Sequence, residues 1–159
     1  NVLDVGSGNG FVANEIAKKF KNKNIVGIDR NENNIYNSVN KYNLKNLTFI
    51  KGDVINYEFK NHFDVVILSN ILEHIEDRIT FLYDLIRQTN PKLLFFRVPL
   101  YERSWEIPFQ NKLNINYFTD EEHFIEHKID EFKHEMIKSN LKIKKLITLW
   151  GEIWCVCET

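Results

Sequence analysis

The chain is 159 residues long, 43% hydrophobic and 27% charged, with a formal net charge of −1. That length supports one compact domain with a sizeable core, and the composition excludes a disordered or fibrous chain. Near-neutral charge argues against nucleic acid as the main partner, and apolar runs as short as Val65–Leu68 and Leu93–Phe96 exclude a helical membrane span.

Val2–Val5 reads as an apolar strand that runs directly into a Gly-rich turn. A compact domain rarely begins its central strand at its first residue, so residues 1–159 are expected to be a single domain lacking an N-terminal segment. From Phe11 to Phe20, Val12, Ile16, Ala17 and Phe20 repeat at helical spacing. Asn24–Asp29 reads as a second strand, and Asn31 suits the N-cap of a helix with Ile35, Val39 and Tyr42 on one face. Leu47–Lys51 is a third strand, closed by Gly52-Asp53-Val54. Phe63–Ser69 is a fourth, with the continuous apolar core of a strand covered on both faces.

Asp77 suits the cap of a helix bearing Ile79, Leu82, Leu85 and Ile86, and Pro91 separates it from a fifth strand, Leu93–Val98. Pro99–Phe118 has no clear period and carries Tyr101, Trp105, Phe109, Tyr117 and Phe118; it reads as a long functional loop or lid. A helix through Ile129, Phe132, Met136 and Ile137 follows, with Asn140 as a left-handed cap. Leu141–Leu149 and Glu152–Cys157, joined by Trp150-Gly151, read as an antiparallel hairpin. Cys155 and Cys157 share one face of its second strand and match no zinc or redox motif, which suits a reducing, cytoplasmic compartment. The alternation of strands and helices predicts an α/β fold: a doubly wound, mostly parallel seven-stranded sheet with an antiparallel C-terminal hairpin.

The strongest chemical signal is Asp4-Val5-Gly6-Ser7-Gly8-Asn9-Gly10, a Gly-rich turn that leaves a strand and opens a helix. Its glycines allow a tight turn and close approach of a ligand to the backbone. A dinucleotide fingerprint needs its third glycine one residue later, and Asp4 is poorly placed for a pyrophosphate. The carboxylate suits a cationic group instead. Asp29 ends the second strand, where a carboxylate accepts hydrogen bonds from ribose hydroxyls, and Asp53 follows the third.

Val2–Gly10, Gly27–Arg30, Gly52–Val54 and Phe63–Ile75 resemble, in order and spacing, the motifs of class I S-adenosylmethionine-dependent methyltransferases. The likeness extends to the closing hairpin and implies a Rossmann-like methyltransferase fold. It implies that Gly6, Ser7, Gly8 and Gly10 line the methionine part of S-adenosylmethionine, with Asp4 near its amino group. Asp29, with Arg30 beside it, would meet the ribose; Asp53 and Val54 would flank the adenine; Ser69 and Asn70 would lie beside the sulfonium. Asn70-Ile71-Leu72-Glu73-His74-Ile75 is similar to a segment of the small-molecule O-methyltransferase branch. Some relatives there, and the small-RNA 2′-O-methyltransferases, bind a divalent metal through Glu-x-x-Glu-His and a later His. Here Asn70 stands where the first Glu would be, which removes a hard anionic ligand, so no metal is expected.

Methyl transfer from a sulfonium is an in-line displacement that needs alignment and exclusion of water more than catalytic side chains. For a hydroxyl acceptor a base helps, and His74 and then His123 are the candidates. A small-molecule acceptor and no membrane are the expected partners. Two alternatives stand beside this reading: an NADP-dependent oxidoreductase with Arg30 at a 2′-phosphate, and a catalytically silent cofactor-binding domain.

Overall fold

A computed structural model describes residues 1–159. Its strands are β1 (Val2–Val5), β2 (Ile25–Asp29), β3 (Leu47–Lys51), β4 (Val65–Ser69), β5 (Leu93–Pro99), β6 (Lys142–Leu149) and β7 (Glu152–Glu158). Its helices are α1 (Phe11–Lys19), α2 (Glu32–Lys41), α3 (Arg78–Thr89), α4 (Glu106–Lys112) and α5 (Ile129–Lys138), with short 3-10 turns at Leu72–His74 and Tyr101–Arg103. The strands form one seven-stranded sheet in the order β3-β2-β1-β4-β5-β7-β6. The first five are parallel, and β7 pairs antiparallel with both β5 and β6. The predicted architecture is therefore the observed one.

The main core lies on one face of the sheet. Leu3, Val5, Val66, Leu68, Leu94, Phe96, Cys155 and Cys157 meet Leu82 and Leu85 of α3 and Phe132 and Met136 of α5. The rings of Phe96 and Phe132 meet edge to face at 5.9 Å. On the other face, α1 buries Ala13 and Ala17 against Ile25.

Two helix faces differ from the sequence expectation. Of the stripe expected for α1, Ala17 is buried as expected, whereas Val12 and the C-cap Phe20 are exposed and Ala13 takes the inward place instead. The buried face is thus rotated toward the small residues, which let the helix approach the sheet closely. In α2 the buried residue is Ser38, while Val39 is exposed. Ser38 Oγ donates to the Asn34 carbonyl at 2.7 Å, so its hydroxyl is satisfied without water. The caps follow expectation: Asn31 accepts from the Asn33 N–H at 2.9 Å, Asp77 accepts from the Thr80 N–H at 3.2 Å, and Asn140 is left-handed at φ 58°.

Pro99–Phe118 is not an irregular loop, since it contains α4. Pro108 is the third residue of that helix, where its missing N–H costs no intrahelical bond. Tyr101, one of the aromatic residues of the expected lid, is buried and accepts a 2.8 Å hydrogen bond from Asn111. Trp105 and Phe109 do stay exposed.

Candidate functional site

Parallel pairing brings the C-terminal ends of β1, β2 and β4 to one edge, where the loops after them enclose a cleft of about 410 Å³. Gly6, Asp29, Arg30, Asp53, Val54, Asn70 and His74 line it, which unites predicted residues from separate stretches of chain. Ile71, Asn34 and Glu122 also line it and were not foreseen. Glu122 pairs with Arg30 across the cleft mouth, a contact between residues 92 apart in sequence.

The Gly-rich turn is built from left-handed residues: Gly6, Gly8 and Gly10 have φ of 65°, 53° and 73°. A side chain at Gly6 would collide with Ile71, whereas nothing lies within 4 Å of a side chain built at Gly8. Gly8 is thus the glycine of the turn with open space beside its backbone. Its N–H donates to Asp29 Oδ2 at 2.7 Å, which joins the turn to the end of β2. The other Asp29 oxygen accepts from the Asn31 N–H at 2.8 Å and from Asn34.

Three residues assigned to the cofactor also make contacts within the scaffold. A side chain at Gly10 would meet the Phe49 ring at 2.5 Å and Ser38 Oγ at 2.8 Å, so glycine here permits close packing of α1 against β3 and α2. Ser7 is buried, with its N–H bonded to the Ile28 carbonyl. Ser69 Oγ accepts from Arg97 at 3.4 Å and is absent from the cleft wall.

Asp4 lies beneath the turn at 2% exposure, and its Oδ2 has no hydrogen-bond partner. Burial raises its pKa to about 7; a backbone bond at Ala13 opposes the rise, and the Asp29 charge adds to it. A carboxylate in this state is poised to gain from a cation.

A second, polar cavity of about 360 Å³ shares Asn70 and His74 with the cleft and is lined further by Glu73, Arg103, His123, Trp150 and Glu152. His74 and His123 are brought together here, their ring centroids 4.8 Å apart. Glu126, fully buried, accepts from Arg103 at 2.6 Å and from the Thr119 N–H at 2.9 Å, and it faces His123 Nδ1 at 3.0 Å. Burial alone would push the Glu126 pKa up, but these bonds bring it down to about 2. Burial is the largest influence on Glu73 and raises its pKa to about 7; a backbone hydrogen bond opposes the rise and the nearby Glu126 charge reinforces it. No sequence signal joins Arg103 to Glu126, because the pairing arises where the Tyr101–Arg103 turn meets the segment before α5.

Residues 1–155 match a protein family described as a methyltransferase domain. Over 86 residues the chain is 34% identical to N-methyltransferase 4 of Papaver somniferum, a match that covers 51% of this chain and 24% of that protein. Over 94 residues it is 29% identical to a ubiquinone biosynthesis O-methyltransferase of Rickettsia bellii, covering 57% of this chain and 38% of that protein. The chain therefore spans well under half the length of these relatives. The structure of an S-adenosylmethionine-dependent methyltransferase from Mesorhizobium loti superposes with a TM-score of 0.77 at 12% identity, over 100% of this chain and 90% of that one.

Proposed function

The chain belongs to the methyltransferase-domain family, and from that premise we propose that it transfers the methyl group of S-adenosylmethionine to a hydroxyl of a small-molecule acceptor. Support for the cofactor comes from the Gly-rich turn, the carboxylate beneath it and the cleft wall beside it. Asp4 offers a buried, unpartnered carboxylate oxygen to a cationic amino group, Gly8 leaves its backbone open, and Asp29 and Asp53 present carboxylates along the cleft wall. When bound, S-adenosylmethionine supplies an electrophilic methyl group on a sulfonium. Asp29 and Asp53 orient the nucleoside, and Val54, Ile71 and Ile28 exclude water from it.

The observation that carries the hydroxyl reading is the polar cavity beside the cleft. A hydroxyl must lose its proton to attack, whereas a neutral amine already has a free lone pair. Glu73, His74 and His123 gather proton-accepting groups beside Asn70, which lines both cavities. The glycine spacing disfavours an NADP-dependent oxidoreductase, and Arg30 is already paired with Glu122. Two measurements test the proposal: calorimetry with S-adenosylhomocysteine and NADPH, then transfer of labelled methyl to matched phenols and amines. Selective binding of S-adenosylhomocysteine and labelling of phenols are expected. Tight NADPH binding with no sulfur-ligand binding would refute the cofactor assignment, and labelling of amines alone would refute the hydroxyl.

A further inference from the structure

We propose that Trp150 is the specificity-determining residue for the methyl acceptor: its indole is a platform on which a planar, uncharged aromatic ring stacks, with the ring's hydroxyl in the polar cavity beside the cleft. The backbone singles this residue out. Five non-glycine residues have positive φ, and four of them are Asn70, Asn90, Asn114 and Asn140, whose short polar side chain tolerates that region. The fifth is Trp150, at φ 53°. With Gly151, at φ 74°, it forms the two-residue turn between the paired Leu149 and Glu152, a turn type that favours Asn-Gly.

A bulky aromatic in this conformation is strained, and at 81% exposure burial offsets little of the strain at Trp150. Asparagine would serve the fold better, as it does at the other four positions. Strain held in place by the surrounding structure marks sites of function. Here the surroundings are fixed. The Leu100 N–H donates to the Gly151 carbonyl at 2.9 Å, a side chain at Gly151 would meet Arg103 Cβ at 2.8 Å, and the indole of Trp150 meets that of Trp154 edge to face at 6.3 Å. A platform fixed in advance loses little freedom when a ligand stacks on it.

Trp150 lines both the polar cavity and an adjoining one of about 620 Å³, whose lining adds Phe118 and Ile107. Arg103, Thr119 and Gly151 are common to both, so the indole stands where the two meet, with His74 and His123 on the polar side. Arg103 is the one arginine or lysine among these lining residues, and its charge is already paired: it donates to Glu126 at 2.6 Å and to Thr119 at 2.6 Å. Glu152 in turn accepts from Arg97 at 2.9 Å. No free guanidinium remains there for a carboxylate or phosphate, which disfavours an anionic acceptor, nucleic acid included. Affinity has to come from contact with the rings, and a planar aromatic acceptor gains both apolar area and stacking geometry from an indole. This assignment deepens the hydroxyl reading and rests on it for turnover, whereas stacking itself does not.

The test measures, by calorimetry with S-adenosylhomocysteine present, the binding of a naphthol and of its fully saturated analogue decahydronaphthol, alongside melting temperatures. The wild-type chain should bind the naphthol at least about threefold more tightly than the saturated alcohol. Trp150→Asn should remove most of that preference, weaken the naphthol at least about threefold, and melt about 2–4 °C higher because the strain is gone. Trp150→Phe keeps a ring and should keep the preference, without the gain in melting temperature. Three results would each overturn the proposal: no naphthol binding at millimolar concentration, a preference for the planar ring that survives in Trp150→Asn, or a Trp150→Asn chain that melts below wild type, which would assign the indole to the fold. Methyl transfer to both alcohols is followed in parallel. If neither is methylated while the preference in binding still depends on Trp150, the hydroxyl reading fails and the platform is supported. If the naphthol is methylated with the same KM in Trp150→Asn, the platform fails and the hydroxyl reading stands.

Discussion

Replacing Asp4 with asparagine separates what this residue costs the fold from what it offers a ligand. The side chain is 2% exposed, has one unpartnered oxygen, and its pKa is raised from 3.8 to about 7, chiefly by burial. Between those two values the folded chain keeps a proton that the unfolded chain has released. Stability therefore falls as pH rises through this window and levels off above it. At about 1.4 kcal/mol per pH unit over roughly three units, the loss is about 4 kcal/mol at most. The amide in Asp4→Asn removes the titration and keeps an oxygen for the backbone bond at Ala13. Urea unfolding should find Asp4→Asn within about 1 kcal/mol of wild type near pH 4 and about 1–4 kcal/mol more stable near pH 8. In the same samples, affinity for S-adenosylhomocysteine should fall if Asp4 meets its amino group as proposed. A stability difference that does not vary with pH would refute the reasoning, as would a variant less stable near pH 8.

Asp29→Ala should lower S-adenosylhomocysteine affinity at least roughly tenfold by calorimetry. Because the Gly8 and Asn31 N–H groups lose their acceptor, it should also cost about 1–3 kcal/mol in urea unfolding; an unchanged dissociation constant would mean that Asp29 only ties the turn to β2. Gly10→Ala places a side chain against Phe49 and Ser38 at positive φ and should cost about 1–3 kcal/mol, with affinity changed less than about twofold. Gly8→Ala should do the reverse, losing affinity at least about fivefold with a smaller loss of stability, and equal effects of the two variants on binding would contradict the division of roles drawn between them. Limited proteolysis should cut near Trp105 and Phe109, which are 74% and 52% exposed, and S-adenosylhomocysteine should slow the cut; equal cleavage with and without it would rule out α4 as a ligand-responsive lid.

Strand identities, the Gly-rich turn and the caps at Asn31, Asp77 and Asn140 were legible because their causes are local. Apolar runs, φ > 0 at a turn and side-chain capping depend on a few consecutive residues. Asp29 and Asp53 could be assigned to one site because each follows a strand, and parallel strands present their C-terminal ends along one edge. The inward faces of α1 and α2 were not legible in the same way. Of the predicted stripe Val12, Ile16, Ala17 and Phe20, the inner residues Ile16 and Ala17 pack with Ala13 against the sheet while Val12 and Phe20 stay exposed, a choice set by where the helix meets the sheet.

The chain's own order of residues thus determined the fold class, the place of the candidate cleft and the pairing of its acidic residues with strand ends, since periodicity and turn chemistry act over short spans. Tertiary structure alone decided that Gly10 packs while Gly8 stays open, that Tyr101 is buried, and that Glu122 reaches Arg30. It alone placed Glu126 behind His123 and left Glu73 unpaired beside it. Most of these contacts join residues tens of positions apart in the chain, brought within a few ångströms by strand order and the course of the segment before α5. No periodicity along the sequence encodes such contacts, because they depend on which strands become neighbours in the sheet.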